Sequence, residues 1–460
     1  MSFFRHGRAS ARLVFVVAAL IAAASLPALA KSSARAGGVC PKPGAVVTSP
    51  TGVALVCGKG RRWEVKTLPP VPSTGQPVVA TTVPTPTKNV TTGCVPGGKA
   101  GVDQFPEKAS IVEAKGLSIT YKGNYKVVKV VNPWRGAKTG FTYVLVQCGT
   151  PAPELTGDLA GASVIQVPVA TASIMSTTLA PQFDELGVAD RIVSVDTPAY
   201  YSTPSVVKRI ESGAVKGTGG GSKANVELLV SLKPGVVITF GTGSGSFDGI
   251  DKLVSAGLPT LVEAGYMEET PLGRSEWVKL IGALTNQEAL AETKFARWRA
   301  DYKALVAKVA NVPNRPVVIS GSMYQGTWYM PGGKSYVAQS IRDAGGSYPW
   351  ASDTTTGSLS LDFEAVLEKG YDATVWINAG YQWSSLRDAV AEDSRYARLP
   401  SFGAANVYGN DKRVNATGGS DYYETAVVRP DLVLADLVSV LHPNVLPNHS
   451  TVWFRHIPRS

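Results

Sequence analysis

The chain has 460 residues, 44% of them hydrophobic, and its 45 lysines and arginines against 35 acids give a formal charge of +10. It is long enough for more than one domain, but the basic residues are scattered rather than interleaved with aromatics, which excludes a nucleic-acid stripe. Four histidines, one of them His6 and the others His442, His449 and His456, leave little material for a zinc site or a Ser-His-Asp triad.

In chain order, Arg5, Arg8 and Arg12 precede an apolar run from Leu13 to Ala24 and then Ala28-Leu29-Ala30. This pattern predicts a secretory signal over residues 1–30, cleaved near Ala30. Ser25 and Pro27 cut the run short of the roughly 20 residues that a spanning helix needs. Without its three arginines the formal charge falls from +10 to +7. Cys40 follows Gly-Gly-Val, which lacks the leucine usual before a lipidated cysteine. An exported protein, periplasmic or held at the cell envelope, is expected.

Residues 31–66 alternate short apolar runs with Gly and Pro, as a small β unit would. The four cysteines Cys40, Cys57, Cys94 and Cys148 are even in number and lie in the first third. In an exported chain two disulfides are the default, most simply Cys40–Cys57 and Cys94–Cys148, although spacing does not fix the connectivity. Residues 67–93, rich in Pro, Thr and Val, predict an extended linker.

From residue 94 strands come first, in "LSITYKGNYKVVKVV" and "GFTYVLVQCG". After Val164 short apolar runs alternate with helical periods, which predicts α/β architecture with largely parallel sheets. A long run of helix formers, residues 285–315, divides the rest into an N-terminal lobe at 94–284 and a C-terminal lobe at 316–446, followed by a tail at 447–460. The fold class expected is therefore two α/β lobes joined by one long rigid helix, preceded by the disulfide-clipped unit and its linker.

The blocks "GTGGGSKANVELLVSLKPGVVI" (Gly217 to Ile238), "PLGRSEWVKLIGAL" (Pro271 to Leu284), "TWYMPGGKSYVAQSIRDAGG" (Thr327 to Gly346), "LDFEAVLEKGYDATVWI" (Leu361 to Ile377) and "DYYETAVVRPDLVLADLVSVLHP" (Asp421 to Pro443) occur in this order. They resemble the periplasmic substrate-binding proteins that serve ABC importers for iron-siderophore, haem and cobalamin. One departure is Gly235, where that family has an acid after the proline. The resemblance implies a class III binding protein that is no enzyme and carries no cofactor. It would capture an iron chelate or corrinoid between its lobes, as a monomer, and deliver it to an ABC permease and its ATPase. It also implies a surface acid on each lobe for the permease, matched by Asp248 in the first lobe and by Asp388 or Glu392 in the second.

Loops at the C-terminal ends of parallel strands face the ligand in such sheets. They place Tyr200, Tyr201, Tyr266, Glu268 and Arg274 on the first lobe and Tyr324, Trp328, Tyr329, Lys334, Trp383, Arg413 and Tyr422 on the second as ligand-binding candidates. Trp328, Tyr329 and Tyr266 are favoured, since flat aromatic walls with polar edges suit large planar or catecholate ligands. Arg413 and Lys334 suit an anionic chelate. Glu268 and Glu269 suit a pairing with Arg274, a cationic ligand edge or simply a solvated loop, and no residue is singled out as a metal ligand. The glycine clusters "GTGGGS" and "GTGSGSF" lack the Gly-Lys-Ser/Thr of a phosphate loop and are read as places where backbone approaches a bulky ligand. The competing reading is a cell-wall or glycan-binding protein in which residues 31–92 tether an aromatic cleft.

Overall fold

The computed structural model describes residues 38–48, 54–65 and 86–460, so the expected signal and most of the expected linker lie outside the described residues. The described residues fall into two compact units, one within residues 1–82 and one within 83–460.

The first unit is a three-stranded antiparallel meander of Val46–Thr48, Ala54–Cys57 and Trp63–Val65, in which Val47 faces Leu55 and Cys57 faces Trp63. Its buried core is Cys40, Leu55, Cys57 and Trp63. So small a core needs a staple, and the Cys40–Cys57 disulfide supplies it, with Cα atoms 5.7 Å apart.

The second unit begins before Cys94. Asn89, expected in the linker, is buried, and its Nδ2 donates to the Glu107 carbonyl at 2.7 Å and to Glu288 Oε2 at 2.8 Å. Its backbone N–H donates to Glu107 Oε2 at 3.1 Å, and the next residue, Val90, accepts from Asn286 Nδ2 at 2.7 Å. One amide side chain thus sews this segment onto the lobe, a contact that Pro/Thr-rich composition does not announce. The Cys94–Cys148 disulfide follows, with Cα atoms 4.5 Å apart.

Leu117–Lys122 and Tyr125–Val130 form a hairpin over Gly123-Asn124, with Gly123 at φ +62°. Phe141–Gln147 adds antiparallel and Ser163–Val167 adds parallel, completing a four-stranded sheet. A second sheet is wholly parallel, in the order Lys216–Gly217, Ile192–Val195, Ala172–Ile174, Val236–Thr239, Thr260–Val262. Every residue of Val236–Thr239 and Thr260–Val262 is buried, as strands covered on both faces require. The family departure at Gly235 introduces the first of these, where its amide donates to Thr171 Oγ1 at 3.0 Å.

The connecting helix runs Glu288–Val309, 22 residues, and buries Ala291, Phe295, Trp298, Tyr302 and Val309. Steps of three, four and seven keep these on one face. In the C-terminal lobe Val318–Ser320 pairs parallel with Val375–Ile377, and single parallel bridges extend this pair to Ser347 and Val407. Met323–Tyr324, Thr327–Pro331 and Ser358–Leu361 form an antiparallel three-stranded sheet beside it. Ser335 caps the helix Tyr336–Asp343 by accepting from the Ala338 amide at 3.2 Å, and Pro430–Leu441 closes the lobe.

Two expectations change here. Residues 447–460 are not a tail: Arg455–His456 pairs antiparallel with Tyr408–Gly409, and Trp453, Phe454 and Ile457 are buried. The buried Asp436 carboxylate holds this return by accepting from the Val452 and Trp453 amides. Trp328 is core rather than pocket wall. It is 0% exposed, its Nε1 donates to the Ser320 carbonyl at 2.8 Å, and its ring packs against Phe363, Trp376 and Tyr396.

Candidate functional site

The parallel sheet of the N-terminal lobe sends four loops from the C-terminal ends of its strands: Met175–Thr178, Asp196–Tyr200, Phe240–Thr242 and Glu263–Met267. Each opens a cavity wall that the C-terminal lobe closes. A wide cavity, about 470 Å³, has Met175, Ser176, Asp196, Tyr200 and Phe240 on one side and Tyr381, Gly418, Gly419, Ser420 and Tyr423 on the other. It shares Thr177 and Tyr423 with a deeper chamber of about 250 Å³, walled by Thr178, Pro271 and Arg274 from the first lobe and by Tyr336, Ser340 and Tyr422 from the second.

Charge in the deeper chamber is concentrated on Arg274. Its guanidinium lies 3.9 Å over the Tyr336 ring, and its buried Nε has no hydrogen-bond partner. Among the described residues it makes no ion pair. A cation with a flat aromatic face and unspent donors is a ready acceptor site for carboxylate, catecholate or another anion. Burial pushes the Glu263 carboxyl up to about 7, against the Gly265 amide that donates to it at 2.7 Å and the nearby charge of Arg274. Burial also raises the Tyr422 hydroxyl well above its ordinary value.

One edge of the cleft is fastened by the C-terminal lobe. The Glu424 carboxylate, 1% exposed, accepts from the Ser202 amide at 2.7 Å, the Thr203 amide at 2.8 Å and the Thr203 hydroxyl at 2.5 Å. Desolvation outweighs these donors and pushes its carboxyl up to about 7. Asn415 Nδ2 donates to the Ala199 and Tyr201 carbonyls, both at 2.9 Å, and the Thr417 hydroxyl also donates to Ala199. These bonds seat the 415–424 segment on residues 199–203, directly beside Tyr200 and Tyr423.

Of the residues predicted from sequence, Tyr200, Arg274 and Tyr422 line these two spaces, and Tyr266 lines a third, described below. Tyr201 lies behind the wall: it is buried and donates to Asp196 Oδ1 at 2.8 Å. Glu268 is a correction. Its carboxylate is buried, accepts from the Lys115 and Gly116 amides at 2.9 and 2.8 Å and from Trp277 Nε1 at 3.0 Å, and so organises the entry to the first sheet. Trp383 is likewise core, edge-on to Trp376 and tilted against Tyr396, with its Nε1 donating to Glu392 at 2.8 Å. Tyr324 and Tyr329 are exposed on the three-stranded sheet and Lys334 is exposed beyond it, and none of the three lines these cavities. Arg413 pairs with Asp421 at 3.2 Å.

The surface acids also have local partners. Asp248 accepts from the Thr242 and Gly243 amides, and Asp388 accepts from Ser384 and Ser385 as half of a capping box. Among the described residues no group of three His, Cys, Asp or Glu is placed to hold a metal ion.

Tyr336 and Phe240 were not foreseen. Tyr336 is the first residue of a helix capped by Ser335, and a helix start aimed at the cleft is the signal that could have marked it.

Residues 174–414 match the family model described as periplasmic binding protein. Among curated relatives, an uncharacterized lipoprotein of Methanocaldococcus jannaschii is 26% identical over 369 residues, which span 74% of this chain and 84% of the relative. Among solved structures, a periplasmic binding protein from Veillonella parvula superposes with a TM-score of 0.50 at 14% identity, covering 71% of this chain and 95% of that one. A periplasmic heme-binding protein from Vibrio cholerae is similar at a TM-score of 0.44 and 17% identity, over 58% of this chain and 99% of that one.

Proposed function

The chain belongs to the periplasmic binding protein family of iron, cobalamin and siderophore uptake, and from that premise we propose that it captures a metal chelate between its lobes and delivers it to an ABC permease. The observation that carries this reading is Arg274. It stands in the deeper chamber with its guanidinium on Tyr336 and its Nε unpartnered, at the end of a wider cavity that two lobes close from opposite sides. A buried guanidinium N–H with no hydrogen-bond partner is costly unless a ligand completes it. Anionic iron chelates would do so while their flat or apolar parts lie against Tyr200, Phe240 and Tyr423.

For delivery, Asp388 and Glu392 sit on the helix Leu386–Glu392 and are the acids proposed for permease contact on the second lobe. Asp248 is the acid proposed for the first lobe; like Asp388 and Glu392 it also accepts local hydrogen bonds.

The test is direct titration of the purified protein with a ferric tricatecholate, a ferric trihydroxamate, haemin and cyanocobalamin, followed by fluorescence quenching and absorbance. Micromolar or tighter binding of at least one chelate is expected. If that chelate is anionic, Arg274→Ala weakens it at least tenfold with little change in Tm. Failure of all four to bind overturns the reading.

A further inference from the structure

The cleft has a wall that does not come from the segment matching the family model. Residues 131–140, "VNPWRGAKTG", join two strands of the four-stranded sheet and lie upstream of the match at 174–414. Trp134 of this loop is seated on Gly241 and Gly243. A Cβ on Gly241 would stand 2.5 Å from the Trp134 ring and one on Gly243 would stand 2.7 Å from it, and Gly243 has φ +80°. The ring also packs edge-on to Phe141, at 5.9 Å between centroids. Tyr266 fixes the loop a second time, its hydroxyl lying 2.6 Å from the Gly241 carbonyl and 3.3 Å from that of Pro133. These glycines therefore admit the protein's own tryptophan, where the sequence had suggested a bulky ligand.

The residue after the anchored tryptophan is Arg135. It lines a chamber of about 280 Å³ with Thr242, Tyr266 and Met267 of the first lobe and Thr356, Gly357 and Ser358 of the second. The chamber adjoins the main cleft, since Tyr266 packs edge-on to Phe240 at 6.4 Å between centroids. Arg135 Nη2 comes within 2.6 Å of where a Cβ of Gly357 would stand, so the guanidinium reaches the opposite lobe. Among the described residues it makes no ion pair and no hydrogen bond. Asp248, whose charge acts on Tyr266 of this wall, is taken up by the Thr242 and Gly243 amides and the Thr242 hydroxyl.

We propose that the 131–140 loop gives the cleft a second anion-recognition subsite, in which Arg135 is a specificity-determining residue for a carboxylate or catecholate arm of the ligand. This rests on the transport reading and narrows it. With Arg274 in one chamber and Arg135 in another, the favoured ligand carries two separated acidic groups, because each guanidinium offers a planar fork that a carboxylate or catecholate completes.

Arg135→Ala is measured against an anionic pair, ferric citrate and a ferric tricatecholate, and an uncharged probe, cyanocobalamin. The ratio of anionic to uncharged affinity is expected to fall at least tenfold, with Arg135→Lys intermediate. An unchanged ratio overturns the proposal. Citrate without iron is the second probe: it should raise the Tm of the unaltered protein and of Arg274→Ala, and the rise should be lost in Arg135→Ala. No rise in the unaltered protein, or an equal rise in Arg135→Ala, overturns the subsite. If no chelate binds, the transport reading falls, and the citrate result still decides Arg135.

Discussion

Aromatic side chains in this protein divide between core and cleft by register. Within the strand Thr327–Pro331, Trp328 and Met330 are buried while Tyr329 is exposed, because neighbours on a strand point to opposite faces. Trp328 therefore belongs with Phe363, Trp376 and Tyr396 in one buried cluster. Trp328→Ala should destabilise the fold by about 3–5 kcal/mol, read by denaturant unfolding, and any loss of ligand should track the loss of folded protein. A full-stability variant with weakened binding would return Trp328 to the cleft. Carboxylates divide similarly. Glu268 looks in sequence like a loop acid, yet it and the helical Glu276 accept the amides of residues 112–116; what decides their role is the return of a distant backbone, and no local pattern carries that.

Among the elements, those with strong periods were legible. The 22-residue connecting helix and the parallel strands follow from helix propensity and buried apolar runs, while the Cys40–Cys57 and Cys94–Cys148 pairings are the simplest of the three that four cysteines allow. Elements made by long-range contact were not: Asn89 joins the lobe through Glu107 and Glu288, and Arg455–His456 is a strand only because Tyr408–Gly409 lies beside it. The glycines of "GTGSGS" were visible, but their occupant, Trp134, lies a hundred residues away in sequence. Gly241→Ala tests that pairing. The added methyl meets the indole at 2.5 Å, so a loss of about 1–3 kcal/mol is expected by thermal unfolding, and Trp134→Leu in the same chain should recover much of it. A neutral Gly241→Ala would show that the loop does not sit there.

For the molecule as a whole, two buried carboxyls carry shifted proton affinities, and one of them, Glu424, joins the two lobes. Burial raises both Glu263 and Glu424 to about 7, above the 4.5 of an ordinary glutamate. The folded state thus holds these protons more tightly than the unfolded one, and stability must fall as pH rises through the window from 4.5 to about 7. Each group contributes at most roughly 3 kcal/mol over that window. Carboxyls held below their ordinary range, such as Asp103 and Glu113 beside their lysine and arginine partners, act at lower pH and leave this window to the buried pair. Tm should be several degrees higher near pH 5 than near pH 8, and Glu424→Gln should flatten part of that slope; a Tm that rises steadily from pH 5 to pH 8 would contradict it.

The fastening of residues 199–203 by Asn415, Thr417 and Glu424 is made by the protein with itself and owes nothing to a guest. Its consequence is entropic. Ordering of the lobes at that edge belongs to folding, so the free energy of capture is not drained by closing a hinge there. Association can then run near the rate at which ligand and cleft meet in the right orientation, and selectivity among chelates is expressed chiefly in how long each one stays.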